Sequence, residues 1–134
     1  MEKYSSCNIL VFGLPGSGKS TFAKKLAEDK LANFNANEIR KIYNDWDFTE
    51  EGRNRQAERM FALTGLAKGH CVVDFVCPYD EYRVDYNITV WMNTIKEGRF
   101  EDTNKLFQKP IKVDYEITNY NYNNIIKEIR DKLQ

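Results

Sequence analysis

The chain has 134 residues, 42% of them hydrophobic; that is enough for one packed core and too short for two ordinary domains, so a single domain over residues 1–134 is expected. Its 20 basic and 20 acidic residues cancel and form no basic block, which excludes the electrostatic footprint of a dedicated duplex nucleic-acid binder. No apolar stretch approaches a membrane span, and Met1, Glu2, Lys3, Tyr4, Ser5 and Ser6 lack the apolar segment of a signal peptide, so a cytoplasmic address is expected.

Residues 9–12 are all apolar and read as a buried strand. Directly after them, Gly13, Leu14, Pro15, Gly16, Ser17, Gly18, Lys19 and Ser20 complete a G-x-x-x-x-G-K-[ST] phosphate loop. The glycines let the backbone turn tightly and bring its N–H groups against phosphate oxygens. Lys19 adds a mobile positive charge, and Ser20 offers a hydroxyl to Mg²⁺. A helix beginning at Lys19, with Phe22, Leu26 and Ala27 on one face, points its N-terminal partial positive charge at the same anion. A nucleoside triphosphate is therefore the first ligand expected, ATP as co-substrate with Mg²⁺, on Gly13, Pro15, Gly16, Ser17, Gly18, Lys19, Ser20 and Thr21.

Residues 31–35 suit a short second strand, and residues 38–43 a helical segment that runs into a loop over 44–48. Thr49 reads as an N-cap, with Glu50 and Glu51 in the first turn where the helix dipole favours them. The helix that follows carries Ala57, Met60, Phe61 and Thr64 on one side and ends near Gly69. Its Arg53, Arg55 and Arg59 face either a ligand or water. Residues 71–76 form a third, strongly apolar strand closed by Pro78, residues 88–92 a fourth, and residues 113–117 alternate as a half-covered edge strand would. Tyr122, Ile125, Ile126, Ile129 and Leu133 lie at helical spacing in a final helix.

Strands alternating with helices imply an α/β fold, a three-layer sandwich of the P-loop NTPase type. Its five-stranded parallel sheet is covered by helices on both faces, with ligands at the carboxyl ends of the strands. Cys7, Cys71 and Cys77 are odd in number and unpaired in spacing, and read as buried reduced thiols. His70 follows Gly69 and reads as a loop or cap residue.

Several segments match a known pattern in order along the chain. Phe34, Asn35, Ala36, Asn37, Glu38, Ile39 and Arg40 follow L-D-G-D-x-[IV]-R, and Phe48, Thr49, Gly52, Arg53, Gln56 and Arg59 follow F-S-x-x-D-R-x-x-N-x-x-R. Phe75, Val76, Cys77, Pro78 and Tyr79 are similar to F-I-S-P-[YF]. Arg99, Phe100, Glu101, Asp102 and Thr103, through Phe107 and Pro110, keep the spacing of G-F-T-G-I-D-D-P-Y-E-P-P. With the phosphate loop, the chain resembles a shortened member of the adenylylsulfate kinase family of P-loop kinases. That family moves the γ-phosphoryl of ATP to the 3′-hydroxyl of adenosine 5′-phosphosulfate. The resemblance implies a small nucleotide-like acceptor, held by Asn35, Asn37, Arg40, Arg53, Gln56, Phe75 and Val76 and stacked between Phe48 and Phe100; a kinase of another acceptor (a nucleoside monophosphate, a hydroxymethylated pyrimidine or a polynucleotide 5′ end), a nucleotide-binding module without turnover, and a homodimer stay open. Arginine forks suit phosphate or sulfate, and aromatic faces suit a base. Read as residues alone, Phe48 and Phe100 serve equally as core aromatics, and the arginines as surface charges.

Two departures stand out. Asn35 and Asn37 replace the family's two aspartates, and an amide neither takes a proton nor neutralises Mg²⁺. Asp74 ends an apolar strand where the family has a small neutral residue, so Asp74 is expected to organise the metal with Ser20 or to meet the acceptor hydroxyl. The lid between Thr94 and Phe100 is also short. The resemblance sets the family's lid lysine near Gly98, so Arg99, with Lys105 as substitute, is expected to approach the transferred phosphoryl alongside Lys19.

Overall fold

Five short strands pair in parallel in the order β2-β3-β1-β4-β5: β1 (Asn8–Phe12), β2 (Ala32–Asn35), β3 (Cys71–Phe75), β4 (Ile88–Met92) and β5 (Tyr115–Ile117). The computed structural model describes residues 6–133, so the expectation for the opening residues 1–5 lies outside the described residues. Helices α1 (Lys19–Ala27), α2 (Ala36–Tyr43), α3 (Glu50–Leu63), α4 (Glu101–Leu106) and α5 (Asn123–Leu133) complete the fold. No described helix is long and apolar enough to cross a membrane.

Apart from Asn8 at the start of β1 and Asp74 near the end of β3, these two strands are apolar because both faces of the sheet are covered. Ile9, Val11, Val72 and Val90 pack with Phe22 and Leu26 of α1 and Ile126 and Ile129 of α5. Leu10, Phe12, Val73 and Phe75 point the other way, against Ile39 of α2 and Ala57 and Met60 of α3. This alternation makes three layers. A ring-edge contact between Phe22 and Tyr122, centroids 4.9 Å apart, joins α1 to the start of α5.

His70 ties the lower edge together. Its Nδ1 accepts from the Cys7 backbone N–H at 3.0 Å and its Nε2 lies 3.0 Å from the Leu133 carbonyl, so Nε2 carries the proton. All three cysteines are free and buried.

The elements differ from the sequence reading in several places. Helix α3 ends at Leu63, not near Gly69, because the chain tightens into a 3-10 turn over Thr64–Leu66, where Thr64 Oγ1 donates to the Phe61 carbonyl at 2.6 Å. Strand β5 begins two residues later than expected, because the Asp114 carboxylate accepts from the Thr89 N–H at 2.8 Å and so takes the place of a ladder bond. Phe61 stands outside the core and sets its ring edge-on against Tyr86 at 5.3 Å. Helix α4 is too short and polar to show an apolar period.

Candidate active site

The carboxyl ends of β1, β2 and β3 open onto a cavity of about 690 Å³. At one end lies the phosphate loop. Gly16 and Gly18 adopt φ of 87° and 93°, a left-handed backbone that a β-carbon disfavours, and α1 starts at the next residue. Lys19 folds back so that Nζ donates to the Leu14 carbonyl at 3.0 Å. Burial pulls its pKa down to about 8, against the attraction of the Asp74 carboxylate, and the Arg99 guanidinium lowers it further.

Strand pairing places Asp74 between Val11 and Asn35, only 2% exposed. Burial pushes its carboxyl up to about 6, opposed by the Asn35 hydrogen bond and the Lys19 charge. The Asn35 amide does two jobs: its Oδ1 accepts from the Glu38 N–H at 3.2 Å, capping α2, while its Nδ2 donates to Asp74 Oδ1 at 2.8 Å. An aspartate at 35 could cap the helix but would set a second carboxylate against Asp74. Asn35 and Asp74 are thus one arrangement. Asp74 Oδ2 has no partner among the described residues, and an unpartnered buried carboxylate oxygen on this cavity suits a cation or a hydroxyl donor.

The other end of the cavity is built from separate segments. The loop over residues 44–49 is fastened by four arginines. Arg40 Nη1 donates to the carbonyls of Asp45 and Asp47 at 3.0 and 3.2 Å, and Arg53 Nε donates to the Phe48 carbonyl at 2.8 Å. Arg55 grips the Asp45 carboxylate through Nε and Nη2 at 2.8 and 3.0 Å, and Arg59 Nη2 meets Asp45 Oδ2 at 2.8 Å. Thr49 caps α3 as expected, accepting from the Gly52 N–H at 3.2 Å. So held, the loop presents Trp46 and Phe48 to the cavity, with the Arg40 guanidinium 4.2 Å from the Phe48 ring centre. Phe100 lines the same cavity. The Asn104 amide accepts from the Gly98 N–H at 2.7 Å and donates to the Gly98 carbonyl at 3.0 Å, which pins the short lid and brings Arg99 to the cavity wall.

Among the expected residues, Pro15, Gly16, Gly18, Lys19, Ser20, Thr21, Asn35, Asn37, Phe48, Arg53, Asp74, Phe75, Val76, Arg99 and Phe100 line this one cavity. Gly13 and Ser17 stand behind the loop, where a β-carbon on Gly13 would come 2.6 Å from the Met92 carbonyl oxygen. Two acceptor residues are corrected. Arg40 is buried and directed at the loop 44–49, and Gln56 donates to the Ala36 carbonyl at 3.3 Å and accepts from Arg59 Nη1 at 2.8 Å; neither lines the cavity. Gln56 lies one helical turn beyond Arg53, and that turn faces α2. Lys105 points outward to Glu101 at 3.7 Å. The sequence reading missed Trp46, Ala36, Asp102 and Thr103 as cavity residues. A large aromatic ring between two aspartates in a loop was the one available signal.

Neither family models nor curated proteins match the chain. Solved structures do. The APS kinase CysC of Mycobacterium tuberculosis in complex with AMPPNP and APS superposes with a TM-score of 0.72 at 20% identity, covering 96% of this chain and 98% of that one. A shikimate kinase from Acinetobacter baumannii in complex with shikimate gives 0.64 at 19% identity, covering 95% and 92%. A gluconokinase from Sinorhizobium meliloti 1021 gives 0.66 at 14%, covering 98% and 93%. This chain therefore has the α/β fold of the P-loop kinases, over nearly its whole length.

Proposed function

We propose that this chain is a P-loop kinase that transfers the γ-phosphoryl group of ATP to a hydroxyl of a small nucleotide-like acceptor. One observation carries the reading: a single cavity joins Lys19 and Ser20 of the phosphate loop, the half-satisfied Asp74, and the exposed rings of Trp46, Phe48 and Phe100. The fold shared with APS, shikimate and gluconate kinases supports a hydroxyl acceptor. Adenosine 5′-phosphosulfate is the first acceptor to test, because the sequence segments resemble that family.

The chemistry follows from the positions. The loop N–H groups and Lys19 hold the β- and γ-phosphates, and Arg99 stands where charge develops on the transferred group. The acceptor oxygen bonds to the γ-phosphorus as its bond to the β,γ-bridging oxygen breaks; ADP leaves with the electron pair. The hydroxyl proton passes to water or to Asp74. Among the described residues no three His, Cys, Asp or Glu side chains cluster as a protein-only metal cage. Ser20 and Asp74 fit Mg²⁺, which takes one or two protein oxygens and completes its shell with phosphate and water. When bound, the ion neutralises phosphate charge.

Incubation of the protein with γ-labelled ATP, Mg²⁺ and a panel of hydroxyl acceptors tests the reading. A product one phosphoryl group heavier, identified by mass spectrometry, is the expected result. ATP binding with transfer to no acceptor would reduce the chain to a nucleotide-binding module.

A further inference from the structure

The acceptor end of the cavity is aromatic, and the guanidinium groups of its loop wall are already engaged; Arg99, 5.6 Å from the Phe100 ring centre, is the guanidinium that the proposed mechanism sets at the transferred phosphoryl group. Trp46, Phe48 and Phe100 are 50, 51 and 52% exposed, so three half-exposed rings line the wall that a planar group would meet. Arginines surround them, yet Arg40, Arg55 and Arg59 are directed at the backbone and carboxylates of the loop 44–49. Arg53 does line the cavity, but its Nε is held by the Phe48 carbonyl and its Nη2 by Thr103 Oγ1 at 3.3 Å, with Asp102 Oδ2 at 3.5 Å.

Asp102 sharpens this picture. Its side chain is 74% exposed and lines the same cavity, so it lays a solvated carboxylate on the acceptor wall beside the Arg53 guanidinium. A phosphate or phosphosulfate reaching Arg53 meets a like charge and must compete for a partnered donor. A hydroxyl or exocyclic amine instead finds an acceptor oxygen. Discrimination through a repulsive group is a common route to specificity.

We infer that the acceptor is an uncharged, base-bearing alcohol, a nucleoside rather than a nucleotide carrying phosphate or phosphosulfate, and that Asp102 enforces the choice. The inference rests on the kinase reading and departs from it on the acceptor: adenosine 5′-phosphosulfate, first on the panel by sequence resemblance, is an acceptor that this charge argument rules out. The ring stacks among Trp46, Phe48 and Phe100, its sugar or hydroxymethyl oxygen points to Asp74 and the γ-phosphate, and Asp102 excludes a 5′ anion.

The test measures kcat/KM of the full chain with Mg²⁺ and ATP for common and hydroxymethylated nucleosides, their 5′-monophosphates and adenosine 5′-phosphosulfate. Wild type should favour the nucleosides by about tenfold or more. Asp102→Asn should shrink that ratio by about tenfold, chiefly through a lower KM for the anions. Asp102→Ala should shrink it too, and melting curves verify that both variants fold. A wild-type preference for the phosphosulfate or a monophosphate, or an unchanged ratio in both folded variants, overturns the inference and leaves the kinase reading standing. Bound ATP with transfer to none of these acceptors overturns both.

Discussion

The two ends of the cavity are made in opposite ways. The phosphate end is one contiguous stretch, residues 13–21, whose donors are mainly backbone N–H groups and whose geometry is set by glycines and the start of α1. The acceptor end is gathered from the loop over 44–49, the first turn of α3, the turn after β3 and the lid running into α4. Backbone donors work with almost any neighbouring side chains, whereas side-chain donors work only if nothing else in the fold claims them. In this chain the arginines near the acceptor are largely claimed.

The largest expected effect tests the phosphate end alone. Lys19→Ala should lower kcat by about 10³-fold while leaving the melting curve near wild type. Undiminished turnover by the folded variant would remove the phosphate loop from the mechanism. Asp74→Asn comes next, since it probes the seam between the two ends. It keeps the Asn35 contact within reach but deletes the free charge, and should cost about 10²-fold in Mg²⁺-dependent turnover. The exposed Asp85→Asn serves as the control; equal small losses in both would assign Asp74 a structural role.

Gly52→Ala separates the ends. A β-carbon at 52 would lie 2.2 Å from the Asp47 carbonyl oxygen, so the loop carrying Trp46 and Phe48 must move. Acceptor turnover should fall by about tenfold or more while calorimetric affinity for an ATP analogue holds. Loss of both together would show that the ends are not independent.

The smallest effect concerns acid. Hydrogen bonds from Arg55, then Arg59, hold the Asp45 carboxyl well below the usual carboxylate range. Its folded value is below its unfolded one, so its stabilisation is complete above about pH 4 and is lost as pH falls through the folded value. Asp45→Asn should therefore lower the Tm at neutral pH by a few degrees. The gap between the two chains should close in acid; a gap that is constant with pH would mean that the Arg55 and Arg59 contacts do not depend on its charge.

Much of the fold was legible because burial on both faces writes apolar runs directly into β1, β3 and β4, and because Thr49 announces α3. The short edge strand β5 and helix α4 were less so. In β5 the Asp114 side chain substitutes for a ladder bond, and α4 buries only Thr103. At the site, Lys19 could be read from the phosphate loop, and Asn35 and Asp74 from their places near strand ends; the structure brings all three to one cavity. Arg40 and Gln56 were not, since a guanidinium or amide reads alike whether it meets a ligand or the carbonyl of Asp45 or Ala36.

By itself the sequence determined the sheet and the glycine-rich loop that follows β1, because each depends on residues adjacent in the chain and on main-chain geometry. Tertiary structure alone decided which charges on the acceptor side remain available. Hydrogen-bond capacity is a property of a residue, but its occupancy is a property of the neighbours that folding brings: the 44–49 loop takes up four guanidinium groups, and Asp102 is set beside the Arg53 guanidinium that lines the cavity.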